Sequence, residues 1–453
     1  MRKYRKSLFI FRRDLRINDN TGLMKALEES QDVFPVFFLD KRLLEGNKYK
    51  SDNAIQFMSE SLEDLHEELR KRGSRLNLVH GIPEEKLGGI IADYKIESIY
   101  FNRDYTPFSK KRDGDIRKIG IEKKVSVYDY PDTLLNEPEK IVKKNGDPYT
   151  IFTAFKKASV VHNVRKVRIN NYSNYSKEEI GSDNILSLSN FPKNINIHTN
   201  GGRKKGLEKI AKIVECSDYE NERNFPSIEG TTGLSAHNKF GTVSIREVYW
   251  AVVEAFGVSH PIISELYWRD FFTHISFHFP DVFKGSFHSR FDKIAWNEDS
   301  EQFELWKKGM TGFPIVDAGM RQLNRTGYMH NRVRMITASF LVKDLHINWQ
   351  LGERYFAQKL VDYDPSVNNG NWQWVASAGC DAAPYFRIFN PWLQQKKYDK
   401  DCSYIKKWVS ELGQYSSKQI HDLEFGNGIG LYPGAMVDHK KMSFIAKQMY
   451  SNL

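Results

Sequence analysis

A chain of 453 residues has room for two or three domains that each bury a core, and it carries neither an apolar run of membrane-spanning length nor a signal peptide ahead of its first strand-like segment. The formal charge of +10 suits a polyanionic partner. Three cysteines, Cys216, Cys380 and Cys402, are scattered without a Cys-x-x-Cys pair, which argues against a disulfide framework and a structural zinc site and for an intracellular, cytoplasmic protein.

Apolar runs at residues 7–11, 33–39, 75–79, 98–101 and 125–128 alternate with helical patterns at 21–30, 52–72, 83–94 and 108–119. Strand and helix in alternation predict an α/β domain over 1–130, a parallel sheet covered on both faces, with ligands beyond the carboxyl ends of its strands. No Gly-x-Gly-x-x-Gly follows the first strand and no Walker loop occurs, so an ordinary dinucleotide or nucleotide triphosphate site is not indicated. Residues 131–200 read as a linker whose Ser/Asn-rich part, from 170 onward, runs over the surface. Helical periodicity dominates 201–453 and strand signals disappear, which predicts an all-helical second domain.

Within the helical half, Tyr219 precedes the loop Thr231-Thr232-Gly233-Leu234-Ser235, whose hydroxyls and main-chain N–H groups can cradle phosphate oxygens, although such a loop by itself is more often a turn. Ser244-Ile245-Arg246-Glu247 is a capping box that opens a helix. Glu265 and Trp268 stand three residues apart and share a helix face, an acid beside an indole that can meet a base edge and stack on it. By burial habit alone they read as an exposed acid next to a core tryptophan. His274 and His278 at i, i+4 invite a metal, yet no third ligand is near and none is expected.

The most informative stretch is 309–391. It opens with a proline near a helix start, Pro314, and breaks at Thr326-Gly327. Then come Asn331-Arg332-Val333-Arg334-Met335, with apolar residues at 333, 336, 340 and 341 on the helical period. Asn331, Arg334 and Met335 share one face, and a core helix carries an amide and a guanidinium there when something polar is bound. Asp362-Tyr363-Asp364 and Asn368-Asn369-Gly370-Asn371-Trp372-Gln373-Trp374 follow, too dense in polar and aromatic groups for a mere loop. The glycine-rich segment 426–434 lacks dinucleotide spacing and reads as a loop.

These runs, together with Phe11-Arg12-Arg13-Asp14-Leu15-Arg16 and Tyr432-Pro433 with Val437-Asp438-His439-Lys440, resemble the DNA photolyase/cryptochrome family over essentially the whole chain, and most closely the class I photolyases that repair cyclobutane pyrimidine dimers. The resemblance implies a Rossmann-like antenna domain over 1–130, a linker over 131–200 and a helical FAD-binding catalytic domain over 201–453. It implies FAD, reduced and anionic when active, held by Tyr219, Thr231, Thr232, Gly233, Leu234, Ser235, Arg334, Asp362, Tyr363 and Asp364, with Asn368 facing flavin N5. Asp or Cys often stands at that last position in signalling members, so Asn favours repair. Trp372, Trp349 and Trp296 align with the family's tryptophan chain from flavin to surface; periodicity alone makes them core residues.

A pyrimidine dimer in DNA is the implied substrate, contacted by Glu265, Trp268, Arg269, Asn331, Arg332, Met335, Trp374 and Gln394. The implied state is a monomer with no membrane partner. Repair of (6-4) photoproducts is the nearest rival, but that branch has histidines where this chain has Asn331 and Met335. A cryptochrome-type light receptor is the rival of another class. For the second chromophore, Asp104-Tyr105-Thr106-Pro107-Phe108 looks like members that bind a deazaflavin or another flavin, since the Asn-Glu pair of folate-binding relatives is replaced by Phe108-Ser109.

Overall fold

The computed structural model describes residues 2–181, 191 and 193–453. The middle of the expected linker, residues 182–190 and 192, lies outside the described residues. By packing, the chain divides into two compact units: Met1–Lys193, Thr199–Val214 and Thr232–Pro280 form the first, and Asn194–His198, Glu215–Thr231 and Asp281–Leu453 the second. No helix among the described residues is long and apolar enough to cross a membrane.

The first unit begins with β1 (Tyr4–Phe11), α1 (Thr21–Glu29), β2 (Ser30–Leu39), α2 (Lys41–Leu44), α3 (Asp52–Arg70), β3 (Asn77–His80), α4 (Pro83–Tyr94), β4 (Ser98–Asn102), α5 (Pro107–Lys123) and β5 (Ser126–Tyr130). The strands form one sheet in the order β3-β2-β1-β4-β5, and every pairing is parallel. Central β1 is buried from Ser7 onward because helices cover both faces. Ser7 meets that burial by sharing hydrogen bonds with the hydroxyls of Ser30 on β2 and Ser98 on β4, each at 2.5 Å. Helix α5 runs past the periodic stretch 108–119 because its last turn has no apolar face to repeat; Ile121 there is exposed. Lys124, in the left-handed region, caps it.

After α6 (Phe152–Ser159) and α7 (Arg203–Ala211) comes α8 (Tyr219–Glu222), which belongs to the second unit; α9 (Ser235–Phe240), α10 (Ile245–Phe256) and α11 (Pro261–His278) complete the first. The expected capping box is present at the start of α10. A buried ionic network fixes this helix to the sheet: Arg246 donates to Asp19 (2.7 Å) and Asp132 (2.8 Å), Arg16 donates to Asp132 (2.5 Å), and Arg165 pairs with Asp19.

The second unit is α8 with α12 (Ser300–Lys308), α13 (Pro314–Thr326), α14 (Asn331–Ser339), α15 (Trp349–Lys359), α16 (Pro365–Val375), α17 (Pro391–Tyr398), α18 (Ser403–Trp408), α19 (Ser417–His421) and α20 (His439–Ser451). Proline opens α13, and Gly327, in the left-handed region, ends it. Two details depart from the sequence reading. Phe340 and Leu341 reach the core in a π turn, Phe340–Asp344, which continues α14 directly but with a wider register than the α-helical period. The glycine-rich segment forms a small hairpin of β6 (Gly428–Ile429) and β7 (Tyr432–Pro433). Gly428 has φ +103°, and a Cβ there would lie 2.5 Å from the Tyr432 carbonyl, so glycine is what permits the strands to approach.

Candidate functional site

Helices α14, α15 and α16 of the second unit carry eight of the expected residues: Asn331, Arg332, Arg334, Met335, Trp349, Asn368, Trp372 and Trp374. Asp364 opens α16 by accepting from the main-chain N–H groups of Ser366 (3.0 Å) and Val367 (3.3 Å), so one expected cofactor carboxylate is also a helix cap. The α16 residues then divide by helical spacing. Asn369 and Gln373 form one pair: both donate to the Val282 carbonyl at 3.0 Å, and Gln373 also accepts from Phe287 N–H. Asn368 and Trp372, the other pair, serve the α15 side. The Asn368 amide donates to the main-chain oxygen of Glu353 (3.0 Å) and to its carboxylate (2.8 Å), and its own Oδ1 carries no hydrogen bond among the described residues. Burial pushes the Glu353 carboxyl up to about 7 although the Asn368 bond pulls it down.

Trp372 is buried beside Phe356 (4.9 Å between ring centroids) and Trp306 (6.3 Å). Gly352 leaves the space for it, since a Cβ there would lie 2.3 Å from the far edge of the indole. Trp349, at the start of α15, is buried in the same hydrophobic core, while half-buried Trp296, Tyr363 and Trp374 pack against it. The ring of Trp296 lies 6.5 Å from that of Tyr450.

On α14 the Arg334 guanidinium donates to the Met329 carbonyl (2.7 Å) and to Asp362 (2.9 Å), so two of the expected flavin residues form an ion pair. Asn331 is exposed, and Met335 is half-buried one turn on. His330 caps the helix through Nδ1. Its buried Nε2 has no hydrogen bond among the described residues, and burial, helped by Arg334 and Arg332, holds the ring down to about 4, hence neutral. Arg332, expected to reach DNA, instead turns inward: it donates to Asn224 (2.7 Å) and lies 4.6 Å over the Tyr398 ring. Gln394 on α17 is half-buried, and its Oε1 has no hydrogen bond among the described residues. Tyr219 is buried on α8, and Thr231 bonds the Tyr328 phenol.

The first unit holds the other expected residues. Gly233 takes φ +58°, and the Thr232 hydroxyl accepts from Leu234 N–H at 3.4 Å, a turn that leaves Ser235 exposed at the start of α9. On α11, Trp268 is half-buried and stacks on Phe152 with 3.6 Å between ring centroids and 8° between planes. Half-buried Glu265 sits one turn earlier on the same face. Arg269 is an internal clamp as well as a candidate contact, because it donates to the carbonyls of Thr133 (2.6 Å) and Asn238 (3.4 Å). The His274 and His278 rings lie 4.5 Å apart, and among the described residues no group of three or more metal-ligating side chains forms.

At the carboxyl edge of the sheet, Arg12 pairs with Asp113 at 2.7 Å and lies 4.0 Å over Phe101. Arg12 Nε and Nη2 and Arg112 Nη2 are buried without a hydrogen bond among the described residues. Burial and the neighbouring Arg112 lower Arg12 to about 10 against the pull of Asp113. Buried guanidinium N–H groups with nothing to bond fit an anionic, phosphate-bearing ligand. Among the expected flavin residues, Asn368 offers the matching feature: its Oδ1 is an acceptor that protein groups leave unbonded among the described residues.

Sequence reasoning passed over Phe152, Glu353 and Trp306. Phe152 lies in the stretch 131–200 that the sequence reads only as a linker. An acid inside an amphipathic helix is by default on the solvent face, so nothing in the sequence marks Glu353.

Two family models cover most of the chain: DNA photolyase matches residues 7–167, and the FAD binding domain of DNA photolyase matches residues 262–452. The deoxyribodipyrimidine photo-lyase of Synechococcus is 34% identical, covering 98% of this chain and 96% of that one. An archaeal photolyase from Sulfolobus tokodaii, solved with two FAD molecules, is 42% identical with a TM-score of 0.91, covering 99% of this chain and 100% of that one. A bacterial class III photolyase from Agrobacterium tumefaciens is 33% identical with a TM-score of 0.93, covering 100% of this chain and 98% of that one.

Proposed function

The chain belongs to the photolyase/cryptochrome superfamily as a relative of deoxyribodipyrimidine photo-lyases, and on that premise we propose that it repairs pyrimidine dimers in DNA by light, as a monomeric, DNA-associated cytoplasmic enzyme. FAD, reduced and excited by blue light, supplies the electron that opens the cyclobutane ring, chemistry that side chains lack. The observation that carries this reading is the α15–α16 seam, where Asn368, its donors spent on Glu353, stands one helical turn from the buried Trp372.

Each group then has a role. The Arg334–Asp362 pair and Asp364, with Tyr363 nearby, orient the cofactor; Tyr219, Thr231, Thr232, Gly233, Leu234 and Ser235 serve its phosphates. Asn368 faces N5. Trp372, Trp349 and Trp296 return an electron from outside by short hops. Enzymes that act on bases within a duplex, photolyases among them, extrude the target. Trp268, braced by Phe152, gives a stacking face, and Glu265 an acceptor for a base edge. Asn331, Met335 and Trp374 contact the lesion as well, and Asn331 and Met335, at positions where the (6-4) branch has histidines, favour a class I enzyme over that branch. Arg332, Arg269 and Gln394 are assigned to support of that surface. The two-domain division, antenna over 1–130, linker over 131–200 and catalytic domain over 201–453, follows the same reading. The antenna chromophore is a flavin or deazaflavin, held through Arg12 and Arg112.

The purified protein should carry FAD and, once reduced, reverse thymine dimers in oligonucleotides under blue light and not in darkness. Dark repair at the same rate, or protein without flavin, rejects the proposal.

A further inference from the structure

We infer that the outer face of α20 is a docking surface for an acidic one-electron carrier protein that refills Trp296, the outer end of the tryptophan relay. This rests on the relay reading above. Lys440, Phe444 and Lys447 stand at i, i+4 and i+7 and so share a stripe of the helix, with Lys441 beside it. All four are exposed, Phe444 by 61%. Together with Asp438 and Ser443 they line an open hollow of about 500 Å³. Among the described residues none of the three ammonium groups enters an ion pair. Asp438, the one acid of the lining, caps the helix by accepting from Lys441 N–H at 3.0 Å. A basic rim around an exposed phenyl ring is the anatomy of a protein interface for an acidic partner.

The inner face of the same helix joins this surface to the relay. Tyr450 is buried there, its ring 6.5 Å from that of Trp296. The residue after Trp296 is tied to the helix as well: Asn297 N–H donates to the His346 carbonyl at 2.7 Å, and the His346 ring bonds the Met442 carbonyl at 3.0 Å. The Tyr450 hydroxyl donates to the Ala376 carbonyl (2.7 Å) and Lys343 Nζ lies 3.4 Å over its ring, so α20 is fixed and its outer side chains stand on a firm support. Half-buried Trp296 therefore lies about one helix width, on the order of 10 Å, behind the basic face. No bond is made or broken in the step. For each electron that Trp372 gives up toward the flavin, the electron hole passes through Trp349 to Trp296, and the carrier, oxidised by one electron, fills it. A nucleic acid would also meet the lysines, but a phosphate backbone has no use for the exposed ring and no electron to return.

The test uses the full chain with FAD bound, as wild type, Trp296→Phe and the triple variant Lys440→Glu/Lys441→Glu/Lys447→Glu. Light-driven flavin reduction, taken as the excess over darkness, is followed by absorption with two donors: a reduced two-iron ferredoxin of acidic surface, and dithiothreitol, a small neutral thiol that needs no docking. Wild type should be reduced faster with ferredoxin than with thiol at equal concentration, one ferredoxin being oxidised per electron gained. The triple variant should lose about tenfold or more of the ferredoxin-supported rate at low salt and stay within about twofold of wild type with thiol. High salt should bring the two ferredoxin rates together. A ferredoxin rate that the triple variant leaves unchanged overturns the inference, and so does an equal loss with both donors. Weaker binding of undamaged duplex DNA with an unchanged ferredoxin rate assigns the face to nucleic acid instead. If the triple variant does not fold, the wild-type ferredoxin rate decides alone, and indifference to salt rejects the docking. Trp296→Phe should lose the light-driven rate with both donors. If it keeps that rate, or if wild type holds no flavin, the relay reading fails, and titration of wild type and triple variant with ferredoxin still reports whether α20 docks an acidic protein.

Discussion

At the carboxyl edge of the sheet, Asp19 and Asp132 are fully buried and each pairs with two arginines. Burial pushes the Asp132 carboxyl up, but Arg16 and Arg246 outweigh it and hold the group below its ordinary value. In the helical unit, Glu353 is also buried, but its partner there is an amide, and its carboxyl rises to about 7. The contrast separates two uses of a buried acid. Where arginines surround it, charge is locked in and the gain is a fixed junction between α10 and the sheet. Where an amide faces it, no opposite charge offsets the burial and the carboxyl titrates near neutral pH, at a cost in stability.

The largest expected effect comes from breaking the locked side. Arg246→Met should destabilise the protein by about 3–5 kcal/mol in denaturant unfolding, because it strands part of the charge of two buried carboxylates. The acid limb gives the sign. Asp19 and Asp132 have depressed folded values, so their contribution is present above about pH 4 and is lost as pH falls through the folded values. Wild type should therefore lose stability steeply on acidification, and the variant, with less to lose, more gently. A parallel pH dependence in the two proteins would show that the network is not the source.

The helical seam breaks through shape. In Gly352→Ala the new Cβ would meet the Trp372 indole at 2.3 Å and the Leu341 side chain at 2.5 Å. An overpacked core of this kind costs about 1–3 kcal/mol, read as a lowered Tm. The loss should be the same at low and neutral pH, which is how it differs from Arg246→Met. Loss of Tm confined to acid would mean that charge holds this seam too.

How much of this was legible follows from what each element depends on. The five parallel strands and the α10 capping box were readable because they rest on local periodicity and on a hydroxyl three residues from an acid. The three tryptophans stand out only through resemblance, since periodicity alone makes them core residues, and burial of Trp372 and Trp349 agrees with that plainer reading. The π turn after Ser339 was not, because its register is set by packing around Leu341 rather than by residue type. The hairpin at Gly428 was read as a loop because two residues per strand leave no alternation to detect. The resemblance implies Arg332 as a DNA contact; its bond to Asn224 and its stack on Tyr398 depend on chain more than a hundred residues earlier and more than sixty later, which no window along the sequence sees.

The smallest expected effect on the fold is the most telling for function. Trp268→Ala removes a ring that lies in the first unit yet belongs to neither kind of buried acid: its working contact is a stack on Phe152 at 3.6 Å. Being half-buried, it should cost less in stability than a core deletion. If that braced face receives a damaged base, affinity for dimer-containing DNA should fall by on the order of 1–3 kcal/mol, the value of one stacking platform. Affinity for undamaged duplex should hardly change, since it rests on phosphate contacts and falls with salt. FAD content should stay near normal, because the flavin groups named on α14 and α16 are untouched. Phe152→Leu should produce the same pattern more weakly, leaving the indole in place but less firmly held. Equal weakening toward damaged and undamaged DNA, or an emptied flavin site, would make Trp268 a packing residue and confine the first unit to the structural use of its buried groups.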